Sequence, residues 1–303
     1  MIKKGRIVRS TGDRMTVLSD DGKQYICRAR GKFRLDGRFP LAGDLVTFRK
    51  AEGDEHLIES ILDRKNYLIR PPVANVTRLC VVASLAPPVT DRLSLDVLIA
   101  AAEYNGITPA VIVNKIDAVP GEPLAEIYRR AGYDVYLTST KTGEGIEAFR
   151  KSVGEGITVF AGSSGVGKSS LLNLALPDFH VRTSRISERI GRGRHTTRHV
   201  ELFADQKGGY VVDTPGFSHV DPVRMMLYDK KKIASCFAEF RPYLGKCRYD
   251  DCAHTREEDC AVIRAVEEGR IDRVRHENYV TVYDKVSKLK DWQIRELLAS
   301  DGG

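Results

Sequence analysis

Between Gly5 and Leu62, apolar and polar positions alternate in short runs: GRIVRS, RMTVLS, KQYICRAR, DLVTFRK and HLIESIL, broken by TGD, SDDG, RLDGRFPLAG and AEGDE. A period of two bounded by Gly, Asp and Pro predicts strands half-buried on one core. Five strands in about 60 residues predict a small barrel, for which the oligonucleotide-binding (OB) fold is the common five-stranded solution. Past Arg70-Pro71-Pro72, which reads as a linker, the pattern changes. Apolar runs LCVVAS, PAVIVNK, DVYLTS, ITVFAG, VELFA and GYVVDTPG now alternate with helical stretches such as SLDVLIAAAEYNG, whose Gly106 suits a C-terminal cap. Near-continuous apolar strands separated by helices predict a parallel sheet buried on both faces. Beyond Pro222 the strands stop, and a Cys/His-rich stretch leads into helical sequence, AVIRAVEEGRIDRVRHENYVTVYDKV. The expected chain is multidomain α/β: a barrel over residues 1–70, an α/β domain over 71–222, and a metal-stapled helical domain over 223–303.

With 303 residues, 42% hydrophobic and 29% charged, the composition is that of a folded protein and excludes a disordered chain. No apolar run approaches a membrane span, and MIKKGRIVRS lacks the apolar centre of a secretory signal, so a cytoplasmic protein without a membrane partner is expected. The net charge is +7. Residues 1–70 hold 16 Lys and Arg against 10 Asp and Glu, which accounts for +6 of it and points to a polyanionic partner. Arg28, Arg30, Lys32 and Arg34 lie near Tyr25 and Phe33, a mixture suited to RNA, although both rings would also serve a core. A monomer is the default expectation.

The chemistry begins at Gly162. Gly162-Ser163-Ser164-Gly165-Val166-Gly167-Lys168-Ser169 fits G-x-x-x-x-G-K-[ST], following an apolar run and opening a helical one. Its backbone N–H groups would cradle phosphates, Lys168 would reach the β- and γ-phosphates, the Ser169 hydroxyl would ligate Mg²⁺, and Ser170 would meet the α-phosphate. Asn114-Lys115-Ile116-Asp117 ends another strand and matches the guanine-reading N-K-x-D. The Asp117 carboxylate accepts from both N1–H and N2–H of guanine, a donor pair that adenine lacks. Ser139-Thr140-Lys141 follows a third strand and resembles the loop that places a backbone N–H on guanine O6. Asp213-Thr214-Pro215-Gly216 reads as D-x-x-G, with Asp213 on Mg²⁺ and the Gly216 N–H on the γ-phosphate. Thr197, in GRGRHTTR, is the expected switch threonine on Mg²⁺. GTP and GDP are therefore the expected ligands.

In an ordinary Ras-like chain the phosphate loop comes first, whereas here the order is NKID, STK, phosphate loop, switch, DTPG. Joining the old termini and cutting elsewhere yields that order without altering the packed sheet. A circularly permuted G domain is the expectation. Basic barrel, GSSGVGKSSLLN, GRGRHTT, DTPGF and a C-terminal zinc motif together resemble the ribosome small subunit-dependent GTPase A (RsgA) family over essentially the whole chain. That resemblance implies a GTPase that binds the 30S subunit late in assembly, contacts 16S rRNA, and is stimulated by the subunit. The competing expectation is a nucleotide-gated RNA-binding module whose hydrolysis is incidental.

Cys247-x4-Cys252-x-His254-x5-Cys260 offers three thiolates and one imidazole, a closed tetrahedral set for structural Zn²⁺. Cys27, Cys80 and Cys236 read as packing residues. Phe217 stands where Ras-like enzymes place the glutamine that orients water. Slow intrinsic turnover is expected, with His195 first, His219 second, or a ribosomal group supplying that function. Residues 181–199 carry six arginines against one acid, Glu188, and are expected to be ordered by RNA.

Overall fold

A computed structural model describes residues 2–31, 33, 38–51, 55–69, 71–176, 199–205, 208–213, 225, 227–290, 292–294 and 296. The five expected front strands are β1 (Ile2–Thr11), β2 (Arg14–Ser19), β3 (Gln24–Ala29), β4 (Leu45–Lys50) and β5 (His56–Ile61). They join in the order β1-β2-β3-β5-β4 and close because β1 also pairs with β4. Only the β3–β5 junction is parallel, which gives the OB topology. β1 lies between β2 and β4 at Gly5, which pairs with both, and a Cβ there would sit 2.4 Å from the Leu18 carbonyl oxygen. Inward positions Ile7, Met15, Val17, Cys27, Val46, Phe48 and Ile58 fill the barrel. The rings named as RNA candidates join them. Phe33, beyond the end of β3, is buried, and Tyr25, half-buried on β3, packs on Phe48 and His56 at ring distances of 5.2 and 4.9 Å, so both rings serve the barrel core.

Two elements depart from expectation. The Pro-Pro linker is a hairpin, β6 (Tyr67–Ile69) and β7 (Pro72–Ala74), whose Leu68, Val73 and Ala74 are buried. Pro71 suits its turn, and Asn66 clamps Val76 through both its backbone N–H and its carbonyl. The run VELFA divides between two sheets. β12 (His199–Glu201) pairs antiparallel with β1 of the barrel, and β13 (Phe203–Ala204) pairs with β14 (Tyr210–Asp213) of the second sheet. Leu202, buried between them, donates its N–H to the Val8 carbonyl at 2.8 Å. Arg9 pairs with Glu201 alongside.

The second sheet contains β8 (Arg78–Ser84), β9 (Thr108–Asn114), β10 (Asp134–Leu137) and β11 (Ile157–Ala161) in the order β10-β9-β8-β11-β14-β13, parallel except for β13. Helices Arg92–Tyr104 and Glu122–Arg130 cover one face, and Ile146–Ser152 and Lys168–Ala175 the other. Asp91 caps the first of these by accepting from the N–H groups of Leu93 and Ser94. From β8 the chain builds outward to β9 and β10, then returns to β11 on the far side of β8 and continues to β14. The direction of winding thus reverses between β8 and β11. At such a reversal the loops leaving the carboxyl ends of two strands diverge and open a crevice.

The C-terminal unit includes helices Ala261–Glu267 and Arg273–Ser287, separated where Gly269 takes φ +70°. Phe237, Phe240 and Tyr279 form its aromatic centre, with ring distances of 4.9 to 5.4 Å. It packs on helix Arg92–Tyr104 through a fully buried ion cluster. The Arg275 guanidinium bonds Asp96 Oδ1 at 2.6 Å and both carboxylate oxygens of Glu239, while Tyr128 and Asn278 also donate to Asp96, each at 2.7 Å.

Candidate nucleotide and metal sites

The phosphate loop leaves β11 at the winding reversal and enters helix Lys168–Ala175, the strand-loop-helix setting its motif requires. Lys168 is buried, and its ammonium donates to the carbonyls of Gly162 (3.0 Å) and Ser163 (3.2 Å). These two contacts hold the cation over the loop, where a phosphate oxygen would be a stronger acceptor than either carbonyl. Ser169 and Ser170 lie exposed on the first turn, and Ser164 and Gly165 at the exposed tip.

The neighbouring strands bring the base-reading segments to the same end. Asn114 closes β9, almost wholly buried, and donates from Nδ2 to the Val166 carbonyl of the phosphate loop at 2.9 Å. Its Oδ1 accepts from Thr138 Oγ1 at 3.2 Å and from the Thr140 N–H at 3.3 Å. One amide thus ties three loops together. Gly167 permits that approach, since a Cβ there would lie 2.3 Å from Asn114 Nδ2, and at φ +97° a side chain would be strained in any case. Ser139, fully buried, donates from Oγ to Asp117 Oδ1 at 2.6 Å and accepts from the N–H groups of Lys141 and Thr142. The Ile116 N–H reaches the Thr138 carbonyl at 3.3 Å. Lys115 adopts φ +65°, and its ammonium donates to the Pro87 carbonyl at 2.8 Å. The roles of Thr138 and Pro87 have no motif to announce them, because each acts through its position beside a residue distant in sequence, and the motif that contains Val166 does not say that its carbonyl meets Asn114.

Asp213 ends β14, where its register partner on β11 is Phe160. Its side chain, Gly216, Phe217, Thr197, His195, His219 and all six arginines of the 181–199 stretch lie outside the described residues.

At the C-terminal knot, one donor atom from each of Cys247, Cys252, His254 and Cys260 lies within 4.8 Å of the others. Cys247 Sγ is 3.8 Å from Cys260 Sγ, and His254 Nδ1 is 3.5 and 3.4 Å from the same two sulfurs. A tetrahedral zinc with Zn–S of about 2.3 Å and Zn–N of about 2.0 Å requires sulfur–sulfur edges near 3.8 Å and sulfur–nitrogen edges near 3.5 Å. The donor set fits that ion. Around it, Glu257 accepts from the N–H groups of Ala253, Thr255 and Arg256, and the His254 carbonyl is 2.8 Å from His276 Nε2. Cys27, Cys80 and Cys236 lie apart from this cluster, and burial pushes their thiols up to about 12.

Two family models match this chain. The RsgA GTPase family model matches residues 61–222, and the RsgA N-terminal domain model residues 4–58. The small ribosomal subunit biogenesis GTPase RsgA of Caldanaerobacter subterraneus subsp. tengcongensis is 43% identical, with 94% of this chain and 96% of that protein covered. The protein of the same name from Halalkalibacterium halodurans is 42% identical over 93% and 97%. Among solved structures, YjeQ from Thermotoga maritima superposes with a TM-score of 0.76 at 32% identity, covering 96% of this chain and 100% of that one. YloQ, described as a circularly permuted GTPase, gives 0.75 at 33% identity, covering 96% of each.

Proposed function

The chain belongs to the RsgA family of GTPases and is a GTP hydrolase, and we propose that it acts as a cytoplasmic monomer in late maturation of the 30S ribosomal subunit, gripping 16S rRNA. The ribosomal part of this reading is supported by the relatives named small ribosomal subunit biogenesis GTPases, and the observation that carries its nucleotide chemistry is the Asn114 amide, which joins the guanine-reading loops to the phosphate loop, so that one rigid unit meets both ends of the nucleotide. Ser139 fixes the Asp117 carboxylate and leaves its other oxygen, with a second lone pair on the first, for guanine N1–H and N2–H. Lys115 covers the base with its aliphatic stem, Ile116 lines the same loop, and the backbone of Thr140 and Lys141 meets O6. Residues Gly162 to Ser170 enclose the phosphates, with Lys168 on the transferred group and the Gly216 N–H beyond it.

Ser169, Thr197 and Asp213 supply hard oxygen donors suited to Mg²⁺, which when bound neutralises charge developing on the phosphates. His195 is assigned to orient the attacking water, because Phe217 lacks a polar group to do so. Zn²⁺ held by Cys247, Cys252, His254 and Cys260 is structural, since four protein ligands leave no position open for chemistry. On the outward barrel face Arg14 and Arg28 stand opposite one another beside Ile26, which is 63% exposed; Arg28 pairs with Glu55, and the patch of cation and apolar surface is suited to RNA. We place the domain divisions near residues 70 and 222. Among the described residues, no helix is long and apolar enough to cross a membrane.

The test is GTP turnover with and without purified 30S subunits. Strong stimulation supports a subunit-driven hydrolase. Turnover unchanged by the subunit, with binding to it that still depends on GTP, would instead favour the nucleotide-gated RNA-binding module.

A further inference from the structure

The winding reversal lies between β8 and β11, and the phosphate loop is only one of the two segments that leave it. The other, Ser84 to Thr90, follows β8. Its base is closed tightly: the Thr90 N–H donates to the Ser84 carbonyl at 2.9 Å and the Ser84 N–H to Thr90 Oγ1 at 2.8 Å. Ser84 Oγ, fully buried, also donates to the Ala86 carbonyl at 2.8 Å. From this anchored base the segment touches both halves of the nucleotide site. On the base side, the Pro87 carbonyl accepts from the Lys115 ammonium at 2.8 Å. On the phosphate side, a methyl group placed on Gly165 would lie 3.0 Å from Cγ and 3.3 Å from Cδ of Pro88, so the Pro88 ring backs the tip of the phosphate loop.

A nucleotide whose base is read at 114–117 and whose phosphates lie at 162–169 must carry its sugar between them. Ala86–Val89 spans that interval along one side. We propose that this segment is the sugar-side wall of the nucleotide site, with Pro87 and Pro88 as positioning residues. Pro87 tethers the Lys115 stem that covers the base, and Pro88 supports the phosphate loop at Gly165. The left-handed backbone of Lys115, unfavourable for a side chain with a Cβ, is held in place at its far end by this tether. Neither proline carries an N–H, and the Pro87 oxygen is already engaged, so the two prolines meet the sugar mainly with ring carbon. Because its interactions are the same whether the third phosphate is present or not, it contributes to binding and not to the chemical step.

This inference rests on the proposed placement of GTP. Its test measures GDP and a non-hydrolysable GTP analogue by calorimetry, and turnover kinetics in parallel, on the full chain. Pro88→Ala removes the ring atoms that meet Gly165 and is expected to weaken both nucleotides by the same factor of about five, raising KM and leaving kcat unchanged. Val89 is 61% exposed, so Val89→Asp does not threaten folding. Its carboxylate would add a negative charge next to Pro88, whose ring meets the phosphate loop at Gly165, and is expected to weaken GDP about ten-fold at low salt, a loss that shrinks as salt is added. Wild-type affinity for both nucleotides in these two variants, or a loss confined to kcat, overturns the proposal. Failure of the wild-type chain to bind GDP would instead overturn the nucleotide site itself.

Discussion

Arg275 offers the most demanding test of how the C-terminal unit is held. Its side chain is 1% exposed, lies against two carboxylates contributed by different elements, and is ringed by Tyr128, Phe237 and Tyr133 at 5.0 to 5.5 Å from its guanidinium carbon. Arg275→Met keeps much of the aliphatic volume but leaves Asp96 and Glu239 facing one another without a counter-charge. Breaking a buried pair from one side costs about 3–5 kcal/mol. For a folded unit of 150–250 residues each kcal/mol moves Tm by about 2–4 °C, so a loss of about 10 °C is expected. Burial already pushes the Asp96 carboxyl above the usual carboxylate range, against the pull of Arg275, Asn278 and Tyr128. Without Arg275 that rise is opposed less, and the folded state binds a proton more tightly than the unfolded state. Stability gained that way is present at low pH and is lost as pH rises. The deficit of the variant relative to wild type is therefore expected to narrow from pH 8 towards pH 5. Asp96→Asn in the Arg275→Met background removes the stranded charge while keeping an acceptor for Tyr128, and should recover part of the loss at pH 8. Thermal melts of the four chains of this cycle at both pH values supply the measurement. A shift below about 2 °C for Arg275→Met, or a deficit that grows on acidification, would refute the reasoning.

Asn114→Ala removes the amide shared by three loops and should weaken GDP and GTP alike by about 2–4 kcal/mol, read by displacement of a fluorescent nucleotide; equal affinity would show the bridge to be idle. Chelation of zinc should release the fold around residues 247–260, seen as lost helicity, and make three thiols reactive. Cys27, Cys80 and Cys236 should stay unlabelled at pH 8 in the folded chain, because a thiol pushed to about 12 is almost wholly protonated there. Val200→Asp puts a charge at a buried position of β12 and should loosen the barrel, exposing residues 62–78 to limited proteolysis at protease levels that leave the parent intact.

The parts legible in the sequence are those whose chemistry dictates residue type. A phosphate cradle needs glycines and a lysine, guanine needs a carboxylate, and a closed zinc site needs four soft or borderline ligands at short spacing. Strands of the barrel announced themselves by alternation, and those of the second sheet by runs of Val, Ile and Ala. What escaped was set by tertiary contact. VELFA has no period and gave no sign that Val200 and Phe203 belong to different sheets. Arg70-Pro71-Pro72 looked like a break because proline interrupts patterns, although proline also fits a hairpin turn. Pro87 met Lys115 only after the sheet had placed β8 beside β9. Asp96 was the overlooked clue. An acid set among the apolar positions at the start of SLDVLIAAAEY, on the buried face of its helix, demanded a cationic partner from somewhere else in the chain.

Excising the front module as residues 1–70 would discard β12, the strand donated to it from residues 199–201. Arg9 to Thr11 of β1, still paired with β2 on one side, would then offer bare N–H and carbonyl groups along their other edge to any passing chain. The boundaries visible along the polypeptide are thus poor guides for cutting it. A fragment meant to behave as the intact protein does must bring its borrowed strand with it, by fusion or as an added peptide.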